Sequence, residues 1–153
     1  MTSDKEVYFA GRIKEVPNKE EFTLICKDVK LASIGRSNVV LVQNDNTLLF
    51  LGKSKNNHFD KSNVSENDLY KLTLIQSIQE DQIANICSGT HFTAFSTQSG
   101  LLYAMGDAFT SEFAMQEEGV EGKVKKIKLP ENCKALRVWC SRGKNIQVLI
   151  VEI

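Results

Sequence analysis

The chain has no surplus of charge of either sign. Its 153 residues carry 19 Lys and Arg against 19 Asp and Glu, so no global positive field points toward nucleic acid or an anionic membrane, and no nucleic-acid partner is expected. No apolar run approaches the roughly 20 residues of a bilayer-crossing helix, and no membrane span is expected. The start, running from Met1 to Phe9, shows no positive segment followed by an apolar one. A secretory signal is therefore not expected, and the location reads as intracellular, cytoplasmic or nuclear.

Groups that carry chemistry are also scarce. Histidine occurs only as His58 and His91. A Ser or Cys nucleophile needs a base and an orienting group beside it, whereas His58 lies in a polar, Asn-rich stretch and neither histidine recurs with a carboxylate. The cysteines stand at 26, 87, 133 and 140, never two residues apart, so the paired spacing of a zinc site is missing. Without an export signal a disulfide framework is not expected either, and the four read as half-buried thiols. The Asn63-Val64-Ser65 sequon carries little weight for the same reason. A phosphate cradle needs a Gly-rich turn opening a helix, and Gly119-Val120-Glu121-Gly122 is too short and too acidic. The expectation is a non-enzyme with no catalytic, cofactor or metal site.

What the chain does have is a core-forming composition, 42% hydrophobic and 25% charged, and repetition. Gly35, Gly89 and Gly143 are spaced by 54 residues (89 − 35 and 143 − 89), as are Gly52 and Gly106. Residues 29–52 lie over 83–106 without a gap, and 137–153 lies over the first part of both. Each copy reads as an apolar stretch ending at glycine and a short β-rich run, such as Val39 to Val42 or Phe92 to Phe95. A polar turn follows, Asn44-Asp45-Asn46 or Gln98-Ser99-Gly100, then a strand closing on Gly52 or Gly106. Apolar runs flanking Asn, Asp or Gly are the hairpin signal, because these residues tolerate positive φ. After a polar loop, 53–68 or 107–122, comes a fourth strand-like run, 72–75 or 124–129. Val7 to Gly11 matches the closing strand.

The reading is all-β: an incomplete β-propeller or arc of about three four-stranded blades with a 54-residue repeat. It forms a single repeat domain, 1–153, with a partial first blade at 1–28, repeats at 29–82 and 83–136, and a partial last blade at 137–153. WD-type blades are excluded because Trp139 is followed by Cys140, and kelch blades because no Gly-Gly pair occurs.

The segment Ile86-Cys87-Ser88-Gly89-Thr90-His91-Phe92-Thr93-Ala94-Phe95, continued by Gly100-Leu101-Leu102-Tyr103-Ala104-Met105-Gly106, resembles the repeat of the regulator of chromosome condensation family. The family's His falls two residues after the glycine, at His91. The copies at 29–52 and 137–153 are weaker, and the family's Gly-Gln-Leu-Gly stretch is replaced by Lys53 to Asn57 and Asp107 to Ser111. The resemblance implies a propeller of about seven blades, within the range of this architecture, so the chain supplies fewer than half. It implies structural roles for Gly11, Gly35, Gly52, Gly89, His91, Gly106 and Gly143. It also implies two kinds of function. Some members exchange guanine nucleotide on small GTPases; others attach to ubiquitin ligases or cilia, so a cilium is a location implied by resemblance alone.

Two regions stand out as partner surfaces. Loop 107–122 is acidic (Glu112, Glu117, Glu118) yet carries Phe109, Phe113 and Met115, and loop 53–68 opens with Lys53 and Lys55 and holds His58. Both leave the same point of neighbouring blades, where patches of opposite sign can steer a protein partner. The run containing Ile146, Val148 and Ile150 is apolar and almost uncharged, an edge that needs covering. The expected role is an interaction scaffold completed by other chains in a multi-subunit complex, with exchange-factor activity as the alternative and a homodimer ranked below other partners.

Overall fold

In the computed structural model the described residues are 5–12, 19–36, 38–52, 73–77, 81–90, 92–106, 124–140 and 146–152, the segments 73–77 and 146–152 as backbone. Among them are twelve strands and no helix. They are β1 (Val7–Gly11), β2 (Lys19–Cys26), β3 (Val29–Ile34), β4 (Asn38–Gln43), β5 (Thr47–Gly52), β6 (Thr73–Ser77), β7 (Ile83–Ser88), β8 (Phe92–Thr97), β9 (Leu102–Gly106), β10 (Lys125–Ile127), β11 (Cys133–Cys140) and β12 (Ile146–Glu152). They form four antiparallel sheets in sequence order: β1-β2, β3-β4-β5-β6, β7-β8-β9-β10 and β11-β12.

The repeat survives at the level of hydrogen bonds. Gly35 N–H donates to Asn38 O at 2.9 Å, and Gly89 N–H donates to Phe92 O at the same distance one repeat later. Strands β4, β8 and β12 begin at residues 38, 92 and 146, which keeps the 54-residue step through the last sheet. The closing glycines Gly11 and Gly52 share a positive φ, 111° and 136°, and this matches β1 to β5 as the third strand of a blade.

The four sheets stack face to face, with an apolar seam between each pair. Side chains alternate across a strand, so successive residues of β4 enter different seams. Val39 and Leu41 pack toward β1-β2 with Val7, Val29 and Leu51. Val40 and Val42 pack toward the third sheet with Phe50, Phe95, Tyr103 and Met105. Burial on both faces is why β4 and β5 read as continuous apolar runs rather than as alternation. The third seam is lined by smaller residues: Ala94, Ala104 and Leu102 meet Ala135 and Val138 of β11. First strands touch across the seams, β3 against β7 and β7 against β11, which places them innermost. A Cβ on Gly35 would strike the Asn38 side chain and the carbonyl oxygen of Gly89, so the blades approach closely at this repeat position.

The cysteine expectation is corrected. Cys87 on β7 and Cys140 on β11 form a disulfide with Cα atoms 5.7 Å apart, while Cys26 and Cys133 are free, half-buried thiols. The bridged pair is separated by 53 residues, one short of the repeat. The two therefore sit at neighbouring positions of successive inner strands, a proximity that local spacing does not show. Three strand limits also differ from the sequence reading. β2 was not foreseen, β10 is only three residues long, and β11 begins four residues before the boundary placed at 137.

Candidate interaction surfaces

Polar side chains tie the blades at their turns. Asn46 closes the β4–β5 hairpin with a left-handed φ of 69° and is buried. Its Oδ1 accepts the Ile83 N–H at 3.1 Å and its Nδ2 donates to Asp81 O at 2.7 Å, so one turn residue clamps the next blade's first strand. Lys30 Nζ donates to the same Oδ1 and to Gln82 Oε1 at 2.7 Å. Partial burial pushes the Lys30 ammonium below its usual range. Asp81 caps the β8–β9 turn: Oδ2 accepts from the Ser99 hydroxyl and from Ser99 N–H at 2.9 Å. Hydrogen bonds from the Ser99 and Thr97 side chains hold its carboxyl well down, at about 2. One blade further on, Asn85 Oδ1 accepts the Val138 N–H at 3.2 Å. The sequence showed Asn46 as a turn residue; its tie to the next blade was missed, and the signal for it is an Asn where the next repeat has Gly100.

The end faces of the arc differ from the seams. Val7 and Phe9 of β1 point into the first seam, while Tyr8 (42% exposed) and its register partner Leu24 (40%), with Phe22 (78%), face away. At the other end Ala135 and Val138 fill the last seam, and Leu136 (52%) and Trp139 (47%) stand out of it. Ile34 is the remaining large exposed apolar residue among those described. It borders an open cavity of about 640 Å³ that also involves Arg36, Ser88, Thr90 and Cys140. The Ser88 and Thr90 hydroxyls and the Arg36 guanidinium give the described part of that wall hydrogen-bonding groups. Among the described residues no cluster of three or more His, Cys, Asp or Glu is placed to hold a metal ion, and no helix is long and apolar enough to cross a membrane.

Most of the expected partner residues fall outside the described residues: Lys53, Lys55 and His58 in one loop, and Phe109, Glu112, Phe113, Met115, Glu117 and Glu118 in the other. The loop roots are defined, after Gly52 of β5 and Gly106 of β9, at matching points of successive blades. His91 and Gly143 also lie outside the described residues. Ile146, Val148 and Ile150 are placed on β12, whose described neighbour is β11 alone.

Sheets of this kind, stacked around shared inner strands, define a partial β-propeller, and its closest description is a regulator-of-chromosome-condensation-like one. The yeast protein RCC1 (Prp20), solved bound to Kap60, superposes with a TM-score of 0.75 at 14% identity over 99% of this chain and 39% of its own. Human WBSCR16 gives 0.69 at 14% identity over 92% of this chain and 39% of its own. Prp20p of Saccharomyces cerevisiae, whose structure was described with its binding to Gsp1p and histones, gives 0.66 at 12% over 90% and 36%. The chain thus spans about two fifths of the length of these structures. Identities this low establish the fold, not the activity. No family model and no curated protein sequence matches the chain.

Proposed function

We propose that the chain is a non-enzymatic interaction scaffold, a propeller portion completed by other chains within a larger assembly. The observation that carries this reading is the placement of exposed apolar side chains. Tyr8, Phe22, Leu24, Leu136 and Trp139 all lie on the two half-blades that end the arc. Apolar faces of this kind, beside strand edges of β1 and β12 that have no partner among the described residues, are surfaces that proteins cover by association or strand addition. The test is the behaviour of residues 1–153 alone. The reading expects an oligomeric or poorly soluble protein, and a soluble monomer melting in one cooperative step would count against it.

The likeness to Prp20, described with its binding to Gsp1p, favours one further reading, an exchange factor for a small GTPase. Fold does not carry function, and the check is nucleotide release from a panel of GTPases, where no acceleration removes this reading. In either role we place the protein inside the cell. There the disulfide meets reducing conditions, so the last seam would have to work with Cys87 and Cys140 as thiols.

A further inference from the structure

The third seam is held differently from the second. Phe50, Phe95, Tyr103 and Met105 fill the second, whereas the third is lined by Ala94, Ala104, Ala135 and Val138 among other aliphatic side chains. β11 is tied to the preceding blade near its start, where Ala135 N–H donates to Gly100 O at 2.9 Å, and in its middle, where Val138 N–H donates to Asn85 Oδ1. Among the described residues, the tie at its end is the Cys87–Cys140 bridge. One repeat earlier the same two positions are Ser33 and Ile86, so β3 and β7 meet there without a covalent bond. The bridge is a property of one seam and not of the repeat.

The two sulfurs are not equivalent. Cys87 is buried in the seam's apolar cluster. Cys140 is half-buried and belongs to the wall of the open cavity that Ile34 borders, of which Cys87 is not part. At about 640 Å³ that cavity is within the range of small-molecule sites. Among the described residues of its wall Arg36 is the one charged side chain, and Ser88 and Thr90 bring hydroxyls. A guanidinium of this kind attracts carboxylates by charge-assisted hydrogen bonds, and positive charge favours a thiolate nearby.

We propose that Cys87 and Cys140 are a redox switch, worked through this cavity by a small thiol that carries carboxylates and by the disulfide of that thiol. In the closing direction Cys140 gives its proton to water and its thiolate attacks one sulfur of the ligand disulfide. That S–S bond breaks, one ligand thiolate leaves, and Cys140 holds the other half as a mixed disulfide. The Cys87 thiolate then attacks the Cys140 sulfur and the second ligand thiolate leaves. Two protein thiols and one ligand disulfide become one protein disulfide and two ligand thiols, so two electrons pass to the ligand and the protons end on the released thiols. Opening is the reverse, with attack at Cys140 and Cys87 as the leaving group. As a thiol Cys87 still fills its place as a small hydrophobe, and the blades stay folded in both states. What changes is the end of β11, with the start of β12 paired to it at Cys140↔Ile146, which is free to part from β7 once the bridge opens. The switch does not depend on the scaffold reading.

The test uses the whole chain in glutathione buffers, with Cys26→Ser and Cys133→Ser removing the free thiols. After folded protein has stood in reduced glutathione, quenching and alkylation should find Cys87 and Cys140 as thiols, and oxidised glutathione should restore the bridge. Peptide mapping of the unsubstituted chain repeats the assay without any substitution. In Cys87→Ser the mixed disulfide should build up at Cys140, far faster than at Cys87 in Cys140→Ser, and Arg36→Gln should slow the first several-fold. Hydrogen exchange at the end of β11 and the start of β12 should be faster in the reduced chain than in the bridged one, with β4 and β5 alike in both. A bridge that reduced glutathione opens only after unfolding, or a pair that oxidised glutathione leaves as thiols, overturns the switch. Equal trapping at both cysteines, or no effect of Arg36→Gln, overturns entry through the cavity. Identical exchange of β11 in the two states overturns the proposal even where the bridge cycles.

Discussion

The seams inside the arc and the faces at its ends use the same kinds of residue and differ in what lies opposite. In the middle seam Phe50 and Phe95 are wholly buried, with Phe95 stacked on Tyr103 at a centroid distance of 5.3 Å. On the first end face Phe22 sits in a comparable strand and is the most exposed of the large apolar residues described. Chemistry alone does not separate the two phenylalanines; the presence of a next blade does. In a stacked-sheet protein, then, the burial of an aromatic is set by the sheet packed opposite it rather than by its own strand.

The strongest way to sharpen this contrast is to truncate one aromatic in each place. Phe50→Ala should cost about 3–5 kcal/mol, the range for removing a buried Phe side chain. Phe22→Ala should leave the chain's own unfolding free energy within about 0.5 kcal/mol, as for surface changes, while altering its association. Urea denaturation of both variants at low protein concentration checks this. Next in size is the last seam, which is lined by small residues and bridged by Cys87 and Cys140. Cys140→Ser should lower stability by about 2–4 kcal/mol under oxidising conditions, and reductant should bring the parent down to the variant in thermal melts.

The polar ties should cost less. Asn46→Gly keeps the left-handed turn but strands the Ile83 N–H without its acceptor, for about 1–3 kcal/mol. Losing protection at β7 amides in hydrogen exchange, with β4 less affected, would mark the clamp rather than the turn. The smallest effect is the Asp81 tie. Its carboxyl is held at about 2 in the folded chain against 3.8 for an ordinary aspartate, so the unfolded chain takes up the proton first as pH falls. Its contribution is intact above about pH 4 and disappears as the pH passes through about 2. Asp81→Asn should flatten that part of the stability–pH curve and leave the neutral region little changed relative to its own new baseline.

The fold was legible where both faces of a strand are buried, because the apolar runs and their glycines then repeat in step. That is how 54 residues between Gly35 and Gly89 anticipates a β12 beginning at Ile146. It was illegible where a strand has one open face. β2 opens with Lys19, Glu20 and Glu21 and shows Phe22 and Leu24 to solvent, so its apolar residues looked scattered. Contacts between repeats were hidden as well. Cys87 meets Cys140, and Asn46 meets Ile83, only because inner strands and turns of successive blades lie side by side. The charged and aromatic loop residues that drew attention in the sequence remain expectations, whereas the exposed end faces emerged only once the seams had claimed the other side of β1 and β11.

The most direct measurement of the contrast between seams and ends is hydrogen exchange of the 153-residue chain as a function of its concentration. Amides of β4, β5, β8 and β9 should be protected to the level of global unfolding at every concentration. Those of β1 and β12 that have no strand partner among the described residues should gain protection as concentration rises and lose it on dilution. Equal, concentration-independent protection of β1 and β12 in a monomeric sample would contradict open ends and the completion of the propeller by another chain.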